Sequence, residues 1–359
     1  MSRPVSLSPA RWVVALVVVA GTLASGPAPA RTPAGAAKPI VTCEGCWPTA
    51  FSFTPDGKHL FYLERYSGEI HRVDMKSRAN RVWGSVGPVN AEGERGALGI
   101  ALDPAWKAGR RSKRTRWVYV FYSHEDPFEN RVVRVRKRLN RRGLTSRHLA
   151  SIPFDPDAIP EHAGGPLAFG PDGNLYILTG DQTEQARAQD VTDLAGKTLR
   201  LQPDGGIPPD NPYGAVYSYG HRNAFGLAFD PLTGRLWETE NGPQCDDELN
   251  IIQAGENYGW GGASECPDTS SQGPSPTQPA HQWTPPIAPT GMAFEATGDL
   301  LVGAYATSQI LRLTLDAERD AIVTEAAIYT HERGVLALVL HPDGRVYFSE
   351  SEGIYLLKP

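Results

Sequence analysis

The chain has 359 residues, with 35 basic and 40 acidic side chains, a net charge of −5 and 40% hydrophobic residues. That balance creates no field for a polyanion, so it argues against a nucleic-acid partner, while the apolar share suffices for a large core. Four cysteines, Cys43, Cys46, Cys245 and Cys266, suit a protein that meets an oxidising compartment.

In chain order, Arg3 and Arg11 precede an apolar run, Trp12 to Ala20, followed by small residues with Ala28-Pro29-Ala30 as a cleavage site. This order predicts a secretory signal and linker over residues 1–37, one domain over 38–359, and a secreted or periplasmic location. The run is shorter than the roughly 20 residues of a spanning helix, so no stable membrane insertion is expected after cleavage. Cys43 and Cys46 form a C-x-x-C followed by Trp47, which does not support covalent haem attachment; a local disulfide is expected. Cys245 and Cys266 are expected to close a Gly-, Pro- and Ser-rich loop.

Beyond this point a unit recurs: a small apolar lead-in, a turn, then a strand. It reads AFSFTPDGKHLFYLER, GIALDPAWKAGRRSKRTRWVYVFYS, LAFGPDGNLYILTGD, LAFDPLTGRLWETENG, MAFEATGDLLVGAY and LVLHPDGRVYFSES. The turns, near Pro55, Pro104, Pro171, Pro231, Thr297 and Pro342, lie roughly 45 to 67 residues apart, the spacing of a four-stranded propeller blade with some expanded loops. One twisted sheet cannot cover both of its apolar faces, and radial packing of like sheets solves this. The sequence therefore predicts an all-β fold, a six-bladed β-propeller with four-stranded antiparallel blades. The basic stretch Lys107 to Arg116 falls between two strands and reads as a solvated loop.

Function is expected where loops depart from minimal turns. GERGALGIALDP from Gly93, PEHAGG from Pro160, YGHRNAFGLAFD from Tyr219 and ENGPQCDDELNIIQAGENYGW from Glu240 qualify. His162 is a candidate general base, since neutral imidazole titrates near the pH of the medium; as an isolated histidine it also suits a packing role. Arg222 offers a planar fork of donors and Asn223 both a donor and an acceptor, for a ligand or for a bridge between blades. The acidic run Asp246, Asp247 and Glu248 offers hard oxygen atoms for Ca²⁺, though not at EF-hand spacing, and a solvated turn accounts for it equally.

Taken together, LAFGPDGNLYILTGDQ, GKTLRLQPDGGIPPDNP, YGHRNAFGLAFDP and DDELNIIQAGENYGW resemble the soluble quinoprotein sugar dehydrogenases of the glucose/sorbosone dehydrogenase family. The resemblance implies a six-bladed propeller that holds pyrroloquinoline quinone and Ca²⁺ on its upper face. It implies oxidation of a sugar's anomeric carbon to a lactone, with an external electron acceptor. His162 would be the catalytic base, and Arg222 would polarise the quinone. Glu94, Asn223, Asn241 and Thr290 would contact the cofactor, Glu94 standing where a glutamine is usual. The carbonyls of Gly242 and Pro243 would bind the cofactor's calcium, and Glu248 and Tyr258 a second calcium. Where the family meets the quinone's carboxylates with basic residues, this chain has Ala306, Gly334 and Leu336, with Arg333 one residue away. Those departures leave open a noncatalytic propeller that binds a glycan or protein; a calcium-dependent propeller hydrolase lacks a second converging set of Asp and Asn ligands.

Overall fold

The computed structural model describes residues 36–106, 116–138, 143–266 and 268–358; nearly all of the expected signal segment and most of the basic stretch lie outside them. Each recurring unit forms the two inner strands of one sheet. Ala50–Phe53 pairs with His59–Leu63, Ala97–Leu102 with Val118–His124, and Gly164–Phe169 with Leu175–Thr179. The later pairs are Ala224–Phe229 with Leu236–Glu240, Pro289–Phe294 with Leu300–Ala304, and Ala337–Leu340 with Val346–Glu350. Two further antiparallel strands complete each blade, giving six four-stranded sheets, numbered blades 1 to 6 in the order of these pairs. The last is closed by the first strand of the described residues, Ala37–Thr42, which pairs with Gly353–Leu357 and ties the ring shut. The only α-helix among the described residues is Gln185–Gln189.

The small lead-ins have a steric cause, because the six innermost strands neighbour one another in a closed ring around a channel. A Cβ on Gly99 would lie 2.0 Å from the Gly165 carbonyl oxygen, and one on Gly226 would lie 2.2 Å from that of Thr290. Neighbouring backbones can approach this closely only where side chains are missing. At the end where these strands begin, taken as the upper end, the channel opens into a cavity of about 150 Å³ touched by Thr49, Gly164, Thr290 and Leu336. A wider cavity of about 540 Å³ at the other end is lined by groups such as Leu102, Phe169, Phe229 and Phe294.

Alternating residues of each sheet pack against the next blade. Between blades 2 and 3 the seam holds Tyr119, Phe121, Ile177 and Leu199; between blades 4 and 5 it holds Trp237, Leu249, Leu300 and Leu313. The seam between blades 3 and 4 differs. Its apolar core is reduced to Tyr176, Leu236, Ile252 and Tyr258, and the space towards the upper mouth is given to buried Ser218, His221, Glu238, Glu240 and Glu248.

Candidate active site

The upper loops are held in uncommon backbone conformations. His162, Gln182 and Thr183 in blade 3, Asp246 in blade 4 and Ala288 at the start of blade 5 all have positive φ, between 51° and 65°. Strain of this kind collects at ligand-binding loops, where the surrounding fold enforces it.

Hairpin register brings the first group together. Gly164 faces Thr179, so His162 and Asp181, two residues beyond on each side, meet above the sheet. His162 Nδ1 lies 2.7 Å from Asp181 Oδ1, which also accepts the Thr183 N–H at 2.8 Å. The other carboxylate oxygen, Oδ2, accepts the Trp260 indole N–H at 2.7 Å. A carboxylate accepting on both oxygens places the imidazole proton on Nδ1 and leaves the Nε2 lone pair outward; Nε2 has no protein partner among the described residues.

Blade 4 repeats the device. Ala224 faces Glu240, so Arg222 and Asn223 stand opposite Gly242 and Asn241. The Arg222 guanidinium donates through Nη1 to the carbonyls of Asn241 at 2.8 Å and Gly242 at 3.1 Å, and lies 5.3 Å from the Trp260 ring centroid. Burial pushes its pKa down against the pull of Asp181, Glu240 and Glu94, yet a guanidinium remains charged. Glu94 Oε2 accepts both the His162 backbone N–H at 2.9 Å and the Asn223 side-chain N–H at 3.1 Å, a double acceptor role that suits a carboxylate. Two buried atoms here have no partner: Arg222 Nε and Asn223 Oδ1.

The remaining expected groups are distributed less evenly. Asn241 donates to the Pro289 carbonyl at 3.1 Å. The Thr290 hydroxyl is turned into the fold, donating towards the carbonyls of Val335 at 2.8 Å and Gly303 at 3.1 Å, so only the rest of the residue faces the upper cavity. The Tyr258 hydroxyl likewise points inward, donating to the Ile251 carbonyl at 2.5 Å, while its ring stacks on His221 at 4.7 Å; its backbone carbonyl is the atom it can offer a metal. Gly242 sits where a Cβ would meet the Cys245 carbonyl oxygen at 2.0 Å, and Pro243 is exposed beside it. Asp247 organises this loop: Oδ1 accepts the Gly242 N–H at 2.9 Å, and Oδ2 accepts those of Ile287 at 2.7 Å and Ala288 at 2.8 Å. Cys245–Cys266 and Cys43–Cys46 are both disulfides, as expected.

Beneath the loop, a void of about 10 Å³ is walled by Glu240, Glu248, Asp246, Tyr258 and Ser270. It has the volume of a single water or ion. Burial, and then the charge of Glu240, pushes Glu248 up to about 8, although Ser270, Asn250 and Thr269 all donate to it. Glu238 is raised well above the usual carboxylate range by complete burial and by Glu240 and Glu248. His221 Nδ1 is 3.1 Å from Glu240 Oε2, an aligned hydrogen bond, and 3.3 Å from Glu238 Oε1, which is not aligned and leaves that oxygen unpartnered. The three ligand atoms stand close enough to share one metal ion.

The expected basic partners are missing on the opposite rim. Leu336 lines the channel mouth, and the Tyr305 ring covers Gly334 so closely that a Cβ there would lie 2.4 Å from it. Arg333 is spent on Glu352, at 2.8 Å, with Glu350 at 3.9 Å.

Asp181, Trp260, His221 and the Glu238–Glu240 pair lie inside the quoted motifs, but the sequence assigns them no role. The hairpin register around Pro171-Asp172-Gly173 was the available signal for Asp181; Trp260 closes the ENYGW run, but with its partner 79 residues away nothing in that run marks it as a donor to Asp181.

The family model for glucose/sorbosone dehydrogenase matches residues 46–357. The aldose sugar dehydrogenase YliI of Escherichia coli is 29% identical over 335 residues, covering 85% of this chain and 87% of that protein. Quinoprotein glucose dehydrogenase B of Acinetobacter calcoaceticus is 31% identical over 259 residues, covering 62% of this chain and 52% of that protein. The solved structure of a PQQ-bound aldose sugar dehydrogenase from Streptomyces coelicolor superposes with a TM-score of 0.77 at 30% identity, over 91% of this chain and 99% of that one. With the propeller, the disulfides and the ordered motifs in hand, this chain belongs to the glucose/sorbosone dehydrogenase family, a family of sugar dehydrogenases.

Proposed function

We propose that the protein is an exported, Ca²⁺-dependent quinoprotein that oxidises an aldose or related sugar at its anomeric carbon to the lactone. One observation carries this reading: an imidazole with a fixed tautomer and a free Nε2 stands beside two buried, unpartnered atoms, Arg222 Nε and Asn223 Oδ1. A buried polar atom without a partner is costly, and a polar ligand seated there would satisfy both.

The residues present fit the two implied groups on one side. The hard oxygens around the small void, together with the carbonyls of Gly242 and Pro243, suit calcium. Arg222, Asn223, Asn241 and Glu94 would hold the quinone, with Thr290 in contact through atoms other than its committed hydroxyl, although among the described residues no basic side chain lines the cavity at Leu336. Pyrroloquinoline quinone, when bound, supplies the two-electron acceptor that no side chain can provide.

The chain's own contribution is positioning and proton handling. Nε2 of His162 takes the proton of the anomeric hydroxyl as its C–H bond gives up a hydride and the carbonyl of the lactone forms. Asp181 keeps the imidazole in the required tautomer and steadies the imidazolium that results. Arg222 would place a fixed positive charge where negative charge develops, in a partly buried setting that strengthens its effect. The electrons leave to an external acceptor.

The test is reduction of an artificial dye by the purified protein, loaded with quinone and Ca²⁺, across a panel of sugars. His162→Ala is expected to retain quinone uptake while losing roughly a hundredfold or more of turnover. Uptake without turnover by the wild-type chain on any sugar would favour the noncatalytic propeller, the reading that the apolar Leu336 and the occupied Arg333 support.

A further inference from the structure

We infer that Trp260 is a positioning residue that seats the proposed base and the proposed electrophile on one indole; this rests on the dehydrogenase reading above. The two groups come from different blades, His162 with Asp181 from blade 3 and Arg222 from blade 4; their backbones meet where the Asp181 N–H donates to the Arg222 carbonyl at 2.9 Å, which leaves the orientation of the two side chains to be set. Trp260 touches both sides. Its Nε1–H donates to Asp181 Oδ2 at 2.7 Å, the oxygen not used by His162, and its ring lies under the Arg222 guanidinium at 5.3 Å.

The indole is itself fixed. Trp260 is buried; its backbone N–H donates to the Gly220 carbonyl at 2.9 Å, and its carbonyl accepts the Gln189 side-chain N–H at 2.7 Å. Gly259, with φ +85°, precedes it where a Cβ would lie 2.6 Å from the Ser270 backbone, so the turn that aims the ring tolerates no side chain. A hydrogen bond to a buried carboxylate is stronger than a neutral one, and an indole face holds a guanidinium by its quadrupole. One residue thereby couples the orientation of the imidazole to the plane of the guanidinium.

The two contacts are separable by substitution. Trp260→Phe keeps a ring beneath Arg222 and deletes the donor to Asp181. In the loaded enzyme the quinone Kd should stay within about threefold of wild type, while kcat falls roughly ten- to a hundredfold with little change in KM. Trp260→Leu removes the ring as well, and should weaken quinone binding in addition.

A second readout needs neither quinone nor turnover. In the unloaded protein, labelled with ¹⁵N-histidine, the downfield Nδ1–H resonance that disappears in His162→Gln belongs to the hydrogen bond with Asp181. Trp260→Phe should shift this resonance and speed its exchange with water, and Trp260→His, which restores an N–H donor, should return it towards wild type. An unchanged resonance in Trp260→Phe, with kcat also unchanged, overturns the proposal. If the wild-type chain takes up no quinone, the dehydrogenase reading falls, and the resonance alone decides the role of Trp260. If Trp260→Phe does not fold, Trp260→His decides by the same resonance: a wild-type-like signal supports the role, and its loss refutes it.

Discussion

Glu248→Gln provides a quantitative test of the buried acidic seam. In the metal-free protein Glu248 is pushed from an ordinary 4.5 up to about 8 by burial and by Glu240. The folded protein then keeps a proton that the unfolded chain has released, so stability is highest below about pH 4.5 and falls as pH rises towards 8. At pH 7 the penalty is about 3 kcal/mol, from roughly 1.4 kcal/mol per pH unit across the shift. Glutamine mimics the protonated acid, can still accept from Ser270 and Thr269 on one side, meets on the other an Asn250 amide whose unpartnered Oδ1 can turn to accept its N–H, and does not titrate. In chelator, the variant should be more stable than wild type at pH 7, by roughly 5 °C in melting midpoint for a domain of this size, and its slope between pH 5 and 8 should be shallower by about one proton. Calcium should act in the opposite sense, stabilising wild type by about 2.7 kcal/mol at a hundredfold excess over Kd and leaving Glu248→Gln nearly unmoved. Melting curves with and without chelator, at several pH values, measure all of this. Identical slopes for the two proteins, or a wild type that grows more stable from pH 5 to 8 in chelator, would refute the reasoning.

Two further outcomes follow from packing and from charge. Leu300 is fully buried in the seam between blades 4 and 5, so Leu300→Ala should cost about 2 to 5 kcal/mol in denaturant melts and leave the site's quinone affinity unchanged once folded. Leu336→Arg places a cation at the channel mouth where the resemblance calls for one, and should tighten quinone binding about tenfold or more in an absorbance titration; weaker binding would mean that this rim does not face the quinone's carboxylates.

The fold was legible because its determinants are local and repeated. Each Asp-Gly or Gly turn with its flanking apolar strands became an inner hairpin, and the small lead-ins became the close-packed ring around the channel. The closing strand Ala37–Thr42 was not legible, since its partner Gly353–Leu357 lies at the other end of the chain and neither segment carries a repeat signature. His162, Arg222 and Asn223 stood out as reactive types on irregular loops, and the structure brings Glu94 to two of them through one oxygen. Their support did not stand out. Trp260 and the Glu238–Glu240 pair resemble core and strand residues until blade packing turns them inward, where burial converts ordinary side chains into a hydrogen-bond donor for Asp181 and a strongly shifted acid. Thr290 shows the converse: it was expected as a cofactor contact and lines the upper cavity, but its hydroxyl serves the backbone of blades 5 and 6.

The most direct test of the central claim is an equilibrium titration of the purified, metal-stripped protein with pyrroloquinoline quinone, with and without Ca²⁺, followed by quinone absorbance. The account predicts saturable, calcium-dependent uptake of one quinone per chain, weakened by Asn223→Ala. Absence of saturable uptake, or uptake indifferent to both calcium and Asn223, would contradict it.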